Sequence, residues 1–224
     1  FSAALKAEVL RRWPGGLTEY FGMTEGGGTC VLFAHLYPEK LHTVGMPAPG
    51  HDIRVIDEAG RELPAGEIGE LVGRSELMMS GYHNRAEQTE AATWTSPDGH
   101  VFIRTGDVGR FDAEGFVELM DRKKDMIISG GFNIYPSDLE AVLRQHPDVA
   151  DAAVVGAPSA EWGETPLAFV VSRGADAETI RAFANERLGK TQRISAVALI
   201  DELPRSHIGK GMKRELRDLY AAKA

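Results

Sequence analysis

The chain has 224 residues, of which 43% are hydrophobic and 26% charged, a balance that excludes a disordered chain and allows one large domain or two small ones. Its net charge of −8 argues against nucleic acid as the main partner. The single cysteine, Cys30, cannot form an internal disulfide, and we find no apolar run long enough to span a bilayer. We therefore expect a protein of a reducing compartment, the cytoplasm.

The first half of the sequence predicts one helix followed by short strands. Residues 1–13 read as an amphipathic helix that Pro14-Gly15-Gly16 ends. Because the chain begins without Met inside that helix, we expect an upstream part to be absent. Apolar runs between turn signals predict strands at 53–57, 68–73, 102–104, 108–111 and 116–120, a spacing that suits a small barrel or meander.

The second half predicts a small α+β domain packed in two layers. Residues 127–128 form a short strand, and Ser137 and Glu140 have the spacing of a capping box for the helix that follows. Asp176 is a plausible N-cap for another helix. Further strands are expected at 152–155, 167–171 and 196–200, with a last helix at 213–222. The domain boundary is placed near 121–125, where a charged run interrupts the pattern.

Three short motifs carry candidate chemistry: Arg104-Thr105-Gly106-Asp107, Asp121-Arg122-Lys123-Lys124-Asp125, and the run from Pro204 to Lys210. A carboxylate such as that of Asp107 accepts through two oxygens and can hold two adjacent hydroxyls of a ribose. The guanidinium of Arg122 offers five donors in a rigid fork. Taken singly, each motif is more often a turn or a solvated charged run, so their order along the chain matters most.

In this order the motifs resemble the signatures of the acyl-adenylate-forming enzymes, and Phe21-Gly22-Met23-Thr24-Glu25 resembles the aromatic-Gly-x-Thr-Glu motif of the same family. The resemblance runs from about Thr18 to the end of the chain. It implies an α+β fold in which residues 1–121 are the β-barrel-like end of a large N-terminal adenylating domain. Residues 122–125 would be a hinge, and 126–224 a small mobile C-terminal α+β domain.

The resemblance also implies roles for residues of the first domain. The ring of Phe21 would stack on adenine, although the family usually has Tyr there. Thr24 would bind a phosphate, Glu25 would help to hold Mg²⁺, and Asp107 and Arg122 would bind the nucleotide. The stretch from Gly69 to Tyr82 resembles a further family motif, which we interpret as mainly structural.

In the second domain, the resemblance implies that Lys210 stabilises the charge that develops in the first half-reaction and that Lys124 is the hinge residue. Gly130 and Gly131 would line the passage of the CoA thiol, and Trp162 would border it. Paired glycines allow a backbone to approach a ligand closely.

The implied activity is that of an ATP-dependent carboxylate–CoA ligase, an acid–thiol ligase that forms acyl-AMP and then acyl-CoA from a fatty or aryl acid. Its cofactors would be ATP, Mg²⁺ and coenzyme A, and its partners small molecules. The phosphate-binding loop and most of the acyl pocket are absent, so we expect this fragment alone to be inactive. Two alternatives stay open: an adenylation module that serves a carrier protein, and a non-catalytic protein that only binds nucleotide. The sequence does not indicate an oligomeric state.

Overall fold

The computed structural model describes residues 2–207 and 211–222. The chain divides into two compact units, Phe1–Lys123 and Lys124–Ala224. Both contain helices and largely antiparallel sheets, which confirms the predicted α+β class. None of the helices in the described part of the chain has the length and apolar character needed to span a bilayer.

The N-terminal unit opens with helix α1 (Ala3–Arg12), which the amphipathic pattern predicted and which Ser2 caps. An antiparallel sheet follows, formed by β1 (Thr18–Gly22), β2 (Thr29–Phe33) and β3 (Met46–Pro47). The side chain of Lys6 joins the helix to this region, because its ammonium donates to the carbonyl of Thr43 at 2.7 Å and pairs with Glu19. Buried between them, Lys6 is almost fully removed from solvent.

A second sheet of the N-terminal unit has the order β4-β5-β7, with β6 and β8 both paired to the other edge of β7. The strands form an open sheet rather than a closed barrel. A short helix, α2, precedes β6. The bounds of these elements are β4 Asp52–Ile56, β5 Gly69–Arg74, α2 Ala86–Ala91, β6 Thr93–Thr95, β7 Val101–Phe111 and β8 Val117–Arg122.

Strand β7 is continuous, so the expectation of two separate strands at 102–104 and 108–111 is wrong. Val108 pairs with Glu70 and Arg104 pairs with Val72, so residues 105–107 lie opposite Leu71 alone. This bulge breaks the alternation of apolar and polar residues, and for that reason the sequence pattern reads as two strands.

The C-terminal unit has one sheet of order β10-β9-β12-β11, and β13 pairs in parallel with β12. Helices α3 and α4 interrupt the strands and α5 ends the described part. The bounds are β9 Ile127–Ser129, β10 Phe132–Ile134, α3 Pro136–Leu143, β11 Val149–Ser159, β12 Gly163–Ser172, α4 Ala177–Arg187, β13 Ala196–Leu199 and α5 Lys213–Ala221.

Helices cover both faces of this sheet, so the expectation of two layers is wrong. On one face, Leu139 of α3 and Ile180 of α4 pack in a buried cluster with Val154. On the other face, Leu216 of α5 packs with Phe169. Alternate residues of β11 and β12 therefore enter different clusters, as the two-residue period of a strand requires. The result is a three-layer arrangement.

The helix starts of the C-terminal unit confirm one predicted cap and contradict another. Asp176 caps α4, accepting from the backbone N–H of Thr179 at 2.8 Å. The capping box at Ser137 is wrong, because Tyr135 is the N-cap of α3 and Ser137 lies inside the helix. The carboxylate of Glu140 instead accepts from the backbone N–H of Val154, which ties α3 to β11.

Candidate functional site

Asp107 and Arg122 lie directly opposite each other on the neighbouring strands β7 and β8. The Nε of Arg122 is 2.8 Å from an Oδ of Asp107. The β7 bulge fixes the backbone here, since the hydroxyl of Thr105 donates to the carbonyl of Leu71 and accepts from the N–H of Asp107. The fold thus brings two residues from separate sequence motifs into one carboxylate–guanidinium pair.

Glu25 follows β1 and is held on both carboxylate oxygens. The hydroxyl of Thr24 donates to Oε2 at 3.1 Å, and the phenol of Tyr82 donates to Oε1 at 2.9 Å. The pKa of Glu25 lies below its usual value, first because of its own backbone N–H and then because of Tyr82. The same hydrogen bond raises the pKa of Tyr82. The sequence analysis placed Tyr82 in a motif interpreted as mainly structural and did not predict its contact with Glu25, which is 57 residues away along the chain.

The chemistry of this donor set fits Mg²⁺. The ion prefers oxygen ligands, keeps several waters, and is usually bound by one or two carboxylates together with substrate phosphates. Glu25 offers such a carboxylate, held in its charged form by three hydrogen bonds. Across residues 2–207 and 211–222, we find no cluster of three or more His, Cys, Asp or Glu side chains that would hold a metal without substrate.

The aromatic pair in β1 is divided between core and solvent. Phe21 pairs in register with Cys30 and packs, half-buried, against the cluster that contains Leu71 and Val117. Its neighbour Tyr20 is 72% exposed. The predicted adenine-stacking residue therefore also supports the core of the N-terminal unit.

In the C-terminal unit, Gly130, Gly131 and Trp162 come together. The backbone N–H of Gly130 donates to the carbonyl of Trp162 at 2.9 Å. A Cβ on Gly130 would lie 2.7 Å from the indole ring, and both glycines have positive φ angles. The turn between β9 and β10 thus depends on the absence of a side chain at Gly130.

Beside this turn lies a cavity of about 590 Å³ that sequence reasoning did not predict. Phe132 and Trp162 supply aromatic surface, and Arg181, Lys190 and Arg193 supply positive charge. These basic residues come from α4 and the segment that follows it. Because they do not form a contiguous motif, the sequence pattern did not predict their association. Their charge suits an anionic ligand.

Lys124 and Lys210 complete the predicted set. Lys124 is exposed, and its carbonyl accepts from Arg217 of α5 at 3.4 Å, while the neighbouring Asp125 pairs with the same guanidinium at 2.8 Å. The start of the C-terminal unit is therefore fastened to α5. Lys210 lies outside the described residues.

Two family models match parts of the chain. Residues 1–83 match the family model described as AMP-binding enzyme, and residues 138–210 match the model described as AMP-binding enzyme C-terminal domain. The two matches follow one another in the same order as the two units of the fold. The chain belongs to the AMP-binding enzyme family, as its motifs predicted.

The individual relatives carry the names of CoA ligases, a CoA ligase-like protein and a CoA synthetase. The chain is 40% identical to a 4-coumarate–CoA ligase-like protein of Oryza sativa subsp. japonica, across 96% of this chain and 40% of the relative. It is 35% identical to a long-chain-fatty-acid–CoA ligase of Escherichia coli, across 90% and 36%. The o-succinylbenzoate CoA synthetase of Bacillus subtilis, solved with its acyl-adenylate intermediate, superposes with a TM-score of 0.83 at 33% identity, covering 97% of this chain and 44% of that one. The chain thus spans about 40% of the length of the relatives it matches.

Proposed function

We propose that this chain is the C-terminal part of an ATP-dependent carboxylate–CoA ligase, in which it follows the phosphate-binding loop and the acyl pocket. The observation that carries the proposal is the Asp107–Arg122 pair, which the bulged strand β7 sets opposite the end of β8. The carboxylate can accept hydrogen bonds from the ribose hydroxyls, and the neighbouring guanidinium can donate to a phosphate. Together the two groups suit a nucleotide. The relatives named as CoA ligases or CoA synthetases support the same activity.

In the first half-reaction, an oxygen of the substrate carboxylate attacks the α-phosphorus of ATP. The bond from that phosphorus to the bridging oxygen of the β-phosphate breaks, and acyl-AMP and pyrophosphate form. Asp107 binds the ribose, Phe21 contacts adenine, and Arg122 and Thr24 bind phosphate oxygens. Lys210 stabilises the charge that develops on the pentacoordinate phosphoryl group in the transition state. This stabilisation raises the rate of adenylation roughly hundreds-fold.

Magnesium is assigned to Glu25. When bound, Mg²⁺ neutralises phosphate charge. The residue's own contribution is a carboxylate that the hydroxyl of Tyr82 keeps charged and oriented.

In the second half-reaction, the sulfur of CoA attacks the acyl carbon, the bond from that carbon to AMP breaks, and the thiol proton is released. We assign Lys124 as the hinge about which Lys210 leaves and the Gly130-Gly131 turn enters. The cavity beside Trp162 supports this assignment, because Lys190 and Arg193 suit the phosphates of CoA, whereas Arg181 is paired with Glu178 at 2.7 Å. The free, buried Cys30 accords with action in the cytoplasm.

The test is Lys210→Ala in the whole ligase. We expect ATP–pyrophosphate exchange to fall by roughly hundreds-fold, since the stabilising charge is lost. Thioester formation from supplied acyl-AMP should continue. Arg214→Ala, which removes an exposed cation from α5, is the matched control and should leave both steps intact. Equal loss of both steps in the Lys210 variant would remove the assignment.

The acceptor is tested separately. The wild-type ligase is supplied with acyl-AMP and either CoA or a panel of acyl carrier proteins. Faster transfer to CoA supports the ligase, whereas transfer only to a carrier protein supports an adenylation module. Binding of acyl-AMP analogues without turnover on either acceptor would indicate a protein that only binds nucleotide.

A further inference from the structure

The segment of residues 75–82 lies across Glu25 and Gly26, and three hydrogen bonds join the two stretches. The hydroxyl of Ser75 donates to the carbonyl of Gly26, and the N–H of Met79 donates to the carbonyl of Glu25, both at 2.9 Å. The phenol of Tyr82 donates to the carboxylate of Glu25 at the same distance. Two of these bonds fix the backbone at Glu25, and the third fixes its side chain.

Close packing makes this arrangement specific. Gly26 has a φ angle of 76°, and a Cβ there would lie 2.8 Å from the Cα of Met78. Any larger residue would push the 75–82 segment away from Glu25. The glycine after Glu25 therefore serves the contact between the two stretches.

Tyr82 is itself anchored from the other side. Its backbone N–H donates to the hydroxyl of Thr89 in α2 at 2.9 Å, and that hydroxyl donates to the carbonyl of Arg85 at 2.9 Å. A side chain whose backbone is fixed in this way presents its hydroxyl at a defined point. Tyr82 as a whole is 39% exposed, so the contact to Glu25 is not a by-product of burial in the core.

We propose that Tyr82 is a positioning residue of the adenylation step, which acts through Glu25 by holding its carboxylate in the orientation that accepts Mg²⁺ together with the phosphates of ATP. The proposal rests on the ligase function. A hydrogen-bonding partner of a metal-binding carboxylate contributes to affinity although it does not touch the metal.

The experiment compares Tyr82→Phe with wild type in the whole ligase. We expect the Mg²⁺ concentration for half-maximal pyrophosphate exchange to rise about tenfold, with the rate recovering at high Mg²⁺. The KM for the carboxylic acid and thioester formation from supplied acyl-AMP should be unchanged, because neither depends on this metal. Electron paramagnetic resonance with Mn²⁺ and α,β-methylene-ATP should show a similarly weakened metal affinity without turnover.

Two controls separate a positioning role from a general loss of structure. Tyr37→Phe removes a hydroxyl from a residue of similar exposure, 37%, whose ring packs on Phe116, and it should leave the metal requirement unchanged. Tyr82→Phe should have no additional effect in a Glu25→Gln background, because the residue acts through that carboxylate.

The outcomes distinguish the two proposals. If the wild-type ligase forms acyl-AMP, but Tyr82→Phe changes neither the metal affinity nor the Mg²⁺ requirement, only the role of Tyr82 is overturned. Equal effects of Tyr82→Phe in the wild-type and Glu25→Gln backgrounds also overturn it. A wild-type protein that neither forms acyl-AMP nor binds Mn²⁺ with the analogue overturns the ligase function, and this role with it.

Discussion

At the scale of single residues, the buried side chain of Glu70 makes two ion pairs in the N-terminal unit. It is 7% exposed and accepts from Arg104 at 2.6 Å and from Lys123 at 2.9 Å. Arg104 lies in β7, and Lys123 is the last residue of the N-terminal unit. One buried anion therefore fastens the end of that unit to its central sheet.

Glu70→Gln should destabilise the N-terminal unit by about 1–3 kcal/mol, because it leaves two cations facing a neutral amide. The lower part of this range reflects the partial exposure of both cations, which solvent screens. Urea unfolding measures the change. Glu8→Gln is the matched control, since Glu8 also pairs with two arginines but on an exposed helix surface. A similar loss in both variants would show that burial of Glu70 is unimportant.

At the scale of elements, two irregular features set the candidate sites: the β7 bulge and the β9–β10 turn. The bulge sets residues 105–107 opposite a single residue of β5, while on the other edge of β7 Asp107 pairs in register with Arg122. The turn brings Gly130 against Trp162. In both places a glycine with positive φ, Gly106 or Gly130, allows the backbone conformation.

Gly130→Ala tests the turn. The added methyl group would collide with Trp162, whereas Gly131→Ala places a methyl group in open space at a similarly positive φ. Both variants carry a backbone cost of about 1 kcal/mol, so their difference isolates the contact with the indole. We expect thioester formation from acyl-AMP to fall several-fold more in Gly130→Ala, with pyrophosphate exchange preserved. Equal thioester rates in the two variants would contradict a role for this contact.

At the scale of the whole molecule, the chain consists of two units with separate hydrophobic cores. The clusters of the C-terminal unit lie on the two faces of its own sheet, one under α3 and α4 and the other under α5. The clusters of the N-terminal unit draw only on residues before Lys124. The C-terminal unit thus has the apolar burial that independent folding requires.

Residues 124–224 expressed alone should therefore unfold in one cooperative thermal transition. Circular dichroism and calorimetry would measure it. Removal of residues 212–224 is the control, because loss of Leu216 and Tyr220 uncovers one face of the sheet and should abolish cooperativity. A gradual, non-cooperative melt of the complete C-terminal unit would show that it depends on the rest of the chain.

The sequence by itself determined the α+β class, most element positions, and membership of the family. These features depend on local signals: the apolar period of α1, the cap at Asp176, and motifs whose residues are contiguous. The family's motifs also predicted the residues of the proposed sites, including Asp107, Arg122 and Glu25, because these motifs are contiguous in sequence.

The tertiary structure decided which of these residues meet. It joined β7 into one bulged strand, paired Asp107 with Arg122, placed Tyr82 on Glu25, and set α5 on the second face of the C-terminal sheet. Each contact links residues distant in sequence, and local periodicity carries no information about such partners. A hydroxyl 57 residues from its carboxylate acquires a role only when folding brings the two together.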